Sequence, residues 1–243
     1  MELQTVDSTN NYALTQIHAG LAEHGMAIFA HEQVAGKGQR GKTWASSKGD
    51  NIALSIIIKP VLLQVSQQFQ LSACAAISVA EWFSKYAGED TRIKWPNDLY
   101  WKDRKAGGIL IESIIRSQKT GTSSWEWAVI GIGININETS FPGDLLNPVS
   151  LKQITGKNFE PVILAKELCL TFNHCYHELI TKEFNIVFAE YLSHLYKRNE
   201  KVKLKKDTRV FEAIIKGVTA EGRLIVQHTI EEQFDHGEIQ WVI

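Results

Sequence analysis

The chain has 243 residues, 44% of them hydrophobic, which is enough to bury one good core with room for a small second unit. A formal net charge of −1 argues against nucleic-acid binding through bulk electrostatics, so the basic residues must act locally. Met1-Glu2-Leu3-Gln4 lacks the basic start and apolar core of a signal peptide, no apolar run can span a bilayer, and the three cysteines show no C-x-x-C, so a cytoplasmic chain without a membrane partner is expected.

Taken in chain order, Ser8 can cap a helix that runs to about His18 and ends at Gly20. Strands are expected at about 26–31 and 52–58, the second a β-branched run closed by Lys59-Pro60. The clearest helix is 66–86, where Phe69, Ala73, Ala76, Ile77, Ala80 and Phe83 recur at helical spacing before Gly88. Cys74 falls on that apolar face and reads as a buried thiol. Residues 91–115 read as three short strands divided by a Pro-Asn-Asp turn and a Lys-Asp-Arg-Lys turn; 118–124 as a polar loop, 125–136 as a strand, 141–147 as irregular. Helices follow at 162–179 and 184–196. His174 and His177 on the first have no ligand cluster near them in sequence and read as an exposed face, not a metal site. Beyond Tyr196-Lys197-Arg198-Asn199 come short strands at 202–204, 209–218, 223–227, 233–234 and 239–241, with turns at Lys206-Asp207, Glu221-Gly222 and His236-Gly237. That spacing reads as a small β-barrel. The expected fold is α+β, with a mixed or antiparallel sheet and flanking helices over 1–197 and the barrel over 198–243.

The segment Gly36 to Trp44, GKGQRGKTW, fits two phosphate-binding patterns. Gly36, Gly41, Lys42 and Thr43 have P-loop spacing, and Gly36, Gly38 and Gly41 have the spacing of a dinucleotide fingerprint. Both motifs need a helix directly after the glycines, because the helix N-terminus supplies the amides that hold phosphate. Here the turn residues 44–51 lead into a strand instead, so both readings fail on context. What remains is a flexible anion-binding loop carrying Lys37, Arg40 and Lys42, or simply a solvated basic turn.

The loop has company. Asp7-Ser8-Thr9-Asn10-Asn11, Gln33 before GKGQRG, KWPND at 94–98, RKAGGIL at 104–110 and GIGIN at 131–135 together closely resemble the catalytic domain of biotin–protein ligases, over nearly the whole chain. KWPND followed by RKAGGIL is the specific part. The resemblance implies a core like that of class II aminoacyl-tRNA synthetases and an SH3-like C-terminal barrel. It implies ATP, magnesium held through the phosphates with no direct protein ligand assigned, and biotin as substrate, with a biotin carboxyl carrier protein as macromolecular partner and a homodimer as an option. It assigns biotin to Ser8, Thr9, Asn10, Gln33, Lys37, Gly38, Gln39, Lys105 and Gly108, and the nucleotide or adenylate to Lys37, Arg40, Trp44, Asn97 and Asn135. It gives catalytic roles to Lys105, Arg40 and Asp98. Gln39 stands where many relatives carry Arg, so Arg40 is the candidate to take over that charge.

Several of these residues also have a plain structural reading. Ser8 serves as a helix cap, Asn97 and Asp98 as turn residues, Asn135 as a strand end, Trp44 as core and Lys42 as a solvated charge. The chain starts just before Asp7, which leads us to expect the monofunctional type without a DNA-binding domain. Two other functions compete: a lipoate or octanoate ligase of the same fold, and a non-catalytic biotin sensor.

Overall fold

The computed structural model describes residues 1–117, 123–143, 145–182 and 184–242. The elements run β1 (Glu2–Val6), α1 (Thr9–His18), β2 (Ala27–Gln33), β3 (Asn51–Ile58), α2 (Gln68–Ala87), β4 (Thr91–Lys94), β5 (Asp98–Trp101), β6 (Arg104–Ser117), β7 (Ser123–Asn135), α3 (Leu151–Thr155), α4 (Pro161–Thr181) and α5 (Phe184–Ser193). Five further strands follow: β8 (Lys201–Lys206), β9 (Arg209–Val218), β10 (Leu224–Gln227), β11 (Glu231–Phe234) and β12 (Gln240–Val242).

Strand β3 shows why the first unit layers as it does. All eight of its residues are buried, as its continuous apolar run requires. Side chains alternate along a strand. Ile52, Leu54, Ile56 and Ile58 therefore join the main core with α2 and α4, while Ile57 joins a smaller core under α1 with Ala13, Ile28 and Val129. Ser55 points to the α1 side and is fully buried. The seven strands order as β1-β2-β3-β7-β6-β5-β4, with only β1 and β2 parallel. Helices cover both faces of this mixed sheet.

The second sheet orders as β11-β10-β9-β8-β12, all antiparallel, and surrounds Leu204, Ala213, Ile215, Leu224, Val226 and Phe234, as an SH3-like unit requires. Asp207, Gly222 and Gly237 take positive φ at its tight turns. Trp95 of the first unit donates its indole N–H to Gly222 O at 2.9 Å, so the two units meet at the KWPND segment.

Several expectations change. The third strand of the 91–115 region is not short: β6 runs 14 residues and pairs with β7. Of the loop expected at 118–124, Ser123 and Ser124 belong to β7, and 118–122 lie outside the described residues. The last helix of the first unit ends at Ser193. Neither β1 nor α3 was anticipated. Cys74 is buried and unpaired, and the His174 side chain is 72% exposed beside Glu178. Among the described residues no helix is long and apolar enough to cross a membrane.

Candidate active site

One end of the site is a buried polar cup under α1. Ser8, Thr9 and Asn10 open that helix, and all three are nearly inaccessible to solvent. Ser8 occupies the N-cap position, but its side chain makes no capping bond. Thr9 donates from its backbone N and its Oγ1 to Gln33 Oε1, at 2.8 and 3.1 Å. Ser55 Oγ sits 2.7 Å from both Thr9 Oγ1 and Asn10 Oδ1, and Asn10 Nδ2 donates to Glu112 Oε2 at 2.7 Å. Burying so many polar atoms is tolerable only because they satisfy one another.

The glycines of GIGIN make this packing possible. Ile130, Ile132 and Ile134 of β7 enter the core, so Gly131 and Gly133 face the other way. A Cβ on Gly131 would lie 2.4 Å from Asn10 Oδ1, and one on Gly133 only 2.6 Å from the Trp44 ring. Trp44 thus packs its ring against Gly133 of β7. Asn135, the last residue of β7, donates Nδ2 to Val149 O at 3.1 Å, so part of its side chain is spent on tying down the 147–149 segment.

At the other end, KWPND and RKAGG meet across β5 and β6. Sequence reading placed Asp98 and Lys105 in turns; both are strand residues. Asp98 stands opposite Gly108, and a register shift after Leu99 puts Lys105 opposite Tyr100. Lys105 Nζ and Asp98 Oδ1 are 2.6 Å apart. The space a side chain on Gly108 would take is bordered by Asp98 Oδ1 and the end of Lys105, at 3.4 and 3.7 Å. Asn97 donates to Ile109 O at 2.5 Å, which leaves its Oδ1 uncommitted in this pairing. Lys94, the first residue of KWPND, is buried, donates to Tyr100 Oη at 3.0 Å and lies 5.3 Å from the Trp241 ring. Burial, outweighing the attraction of Asp98, holds its ammonium down at about 8, and the charges of Lys105 and Lys42 push the same way.

Between the ends lies the 36–44 segment, which is a small hairpin instead of a loose loop. Trp44 N donates to Gly36 O, Gly38 N to Lys42 O, and Lys37 bridges Thr43. Its tip, Gln39-Arg40-Gly41, turns through positive φ at Arg40 (57°) and Gly41 (74°). With Leu110 and Glu112 of β6, Lys37, Arg40 and Lys42 line a cavity of about 470 Å³. Lys37 Nζ lies 3.7 Å from Glu112 Oε1. A second cavity of about 270 Å³ opens between Gln39, Pro96, Asn97 and the C-terminal Asp235 and His236. The Arg40 guanidinium donates to the carbonyls of Gly237 and His236, at 3.1 and 3.3 Å.

The structure therefore gathers Thr9, Asn10 and Gln33 into one cluster, and Asp98, Lys105 and Gly108 into another. Gln39 is the hairpin residue that lies toward Ile109 and Asn97, and Arg40 bonds the C-terminal unit. Sequence reasoning gave no role to Ser55, Glu112 or Lys94. The lone Ser in Ile52–Ile58 and the Glu closing an apolar run were the available signals.

A polar cup, a basic hairpin and a lysine–aspartate pair set along one α+β sheet are the parts of an enzyme that handles a small anionic substrate. The chain belongs to the biotin/lipoate A/B protein ligase family, whose model matches residues 2–135. It is 33% identical over 231 residues to the bifunctional ligase/repressor BirA of Escherichia coli, covering 93% of this chain and 68% of that protein. It is 29% identical to the biotin–[acetyl-CoA-carboxylase] ligase of Paracoccus denitrificans, covering 93% of this chain and 92% of the relative. In fold it is similar to the biotin protein ligase of Aquifex aeolicus in complex with biotin and ATP, with a TM-score of 0.80 and 22% identity over all of this chain and 98% of the other.

Proposed function

We propose that the protein is an ATP-dependent biotin–protein ligase that joins biotin to a lysine of a carboxyl carrier protein. The observation that carries this reading is the Lys105–Asp98 pair beside Gly108, on the same sheet as the polar cup.

A carboxylate is a poor electrophile. In the first step its oxygen attacks the α-phosphorus of ATP, the bond to the bridging oxygen breaks, and pyrophosphate leaves with biotinoyl-AMP formed. Negative oxygens converge there, and cations fixed beforehand lower the barrier. Lys105 supplies one fixed charge on a strand, while Lys37 and Lys42 supply charge from the hairpin. The cup suits the ureido ring, which offers two N–H donors and one carbonyl: Gln33, Thr9 and the uncommitted Ser8 hydroxyl supply complementary groups. In the second step the carrier lysine amine attacks the acyl carbon and AMP leaves. Asp98 orients that amine or takes its proton.

Among the described residues no cluster of three acidic, His or Cys side chains could cage a metal. Magnesium would arrive with the nucleotide phosphates, with Asn97 Oδ1 as the uncommitted oxygen nearby. Its chemistry would be neutralisation of the departing pyrophosphate. Biotin-dependent exchange of pyrophosphate into ATP tests the reading. Exchange that depends on lipoate or octanoate, with none for biotin, would overturn it.

A further inference from the structure

Arg40 lines the hairpin cavity, and its side chain reaches on to the C-terminal unit. Its guanidinium spans to the turn between β11 and β12, 196 residues away in sequence, and donates to two successive carbonyls, those of His236 and Gly237. Two carbonyls side by side match the forked donors of arginine, whereas a lysine ammonium is a single point charge. The acceptor turn is built to hold still. Glu238 N donates to Asp235 O at 3.1 Å, Asp235 N donates to Glu238 Oε2 at 2.8 Å, and Arg223 Nε pairs with Asp235 Oδ1 at 3.1 Å.

The guanidinium lies close against Gly237: a Cβ placed there would fall 1.5 Å from Arg40 Nη2 and 1.8 Å from its Cζ, although the positive φ of this turn already calls for glycine. His236 also packs edge-on against Trp95, with ring centres 5.9 Å apart. Burial first, and the Arg40 charge second, hold His236 below its usual value, so at neutral pH it adds no positive charge to repel the guanidinium. One C-terminal turn therefore touches both the hairpin tip and the KWPND segment.

We infer that Arg40 is a positioning residue: it latches the tip of the 36–44 hairpin to the 235–238 turn, so that the C-terminal unit holds Lys37 and Gln39 over the acid. The hairpin is fixed at its base by β2 and β3, and its own bonds carry a constraint at residue 40 directly to the Lys37–Thr43 bridge. The inference rests on the functional reading above for what the hairpin covers, but the latch itself can be tested without any ligand.

The test compares Arg40→Lys and Arg40→Ala with the wild type. Native-state cleavage of the Lys37–Gly38 bond by a lysine-specific protease, read by fragment mass so that a new cut after position 40 is not counted, should rise about tenfold in both variants, because both lose the same contact. In biotin-dependent exchange the KM for biotin should rise about tenfold, more than kcat falls. Arg40→Lys should behave like Arg40→Ala, since charge without the fork does not make the latch. Wild-type behaviour of Arg40→Lys or of Arg40→Ala in both assays would overturn the inference. If the wild type shows no biotin-dependent exchange, the functional reading falls while the cleavage arm still judges the latch.

Discussion

The cup and the hairpin use opposite means to present polar groups. Thr9, Asn10 and Ser55 are nearly inaccessible, and each is fixed by partners on α1, β2, β3 or β6. Lys37, Arg40 and Lys42 sit on a small hairpin held by a few bonds of its own, with the Lys37 side chain 40% exposed. Groups locked by packing can discriminate between ligands, because an analogue that leaves them unpaired forfeits buried hydrogen bonds. Groups on a hairpin can open and close over a ligand but discriminate little. Changes on the sheet should therefore act on chemistry and stability, and changes on the hairpin on binding and release.

The largest effect expected is for Lys105→Ala, on the sheet. Loss of one fixed cation at developing negative charge should lower biotin-dependent pyrophosphate exchange by about 10²–10³-fold with the melting temperature nearly unchanged. Wild-type exchange would remove Lys105 from the chemistry. Next comes Lys94→Met. With the native ammonium at about 8 against an unperturbed 10.5, the unfolded chain alone binds this proton between those values, so wild-type stability gains from this group as pH rises through that window. Below it the buried charge costs roughly 3 kcal/mol. Lys94→Met should melt higher at pH 7 and lose the rise between pH 8 and 10; an unchanged slope would place the charge in solvent.

Ser55→Ala should cost about 1–3 kcal/mol by leaving Asn10 or Thr9 short of a partner, visible as a lower melting temperature together with weaker biotin binding. A stability loss with biotin affinity intact would separate the cup from the ligand. The smallest effect is expected on the hairpin. Gln39→Arg restores the charge its position lacks and should slow release of biotinoyl-AMP a few-fold, measured by chase, without altering stability. Faster release would mean that the new guanidinium competes with Arg40.

Much of the fold was legible because the signals were local. The β3 run, the helical repeat of α2 and the tight turns of the C-terminal strands each announce themselves within ten or twenty residues. Strand β1 was missed because five residues at a sheet edge, paired in parallel with β2 some 27 positions on, leave little pattern. Helix α3 was missed because it is five residues long inside a polar stretch. At the site, the structure brings the motif segments together in a conformation that the sequence did not show. Asp98 and Lys105 looked like turn residues because Pro, Asn, Asp and Gly surround them, and it is the register of β5 against β6 that makes them strand neighbours. Nothing near Arg40 in the sequence points to Gly237; only the closed tertiary structure does.

The glycines of β7 carry a consequence for how this protein can change. Gly133 is confined by the Trp44 ring, not by backbone, and Gly131 by the Asn10 side chain. Neither position is free to drift alone, yet each has one identifiable neighbour whose shrinkage would release it. A genetic screen for second-site revertants of Gly133→Ala should return smaller residues at position 44. Lineages that acquire a side chain in this strand should show the loss of the tryptophan first, as the permissive step.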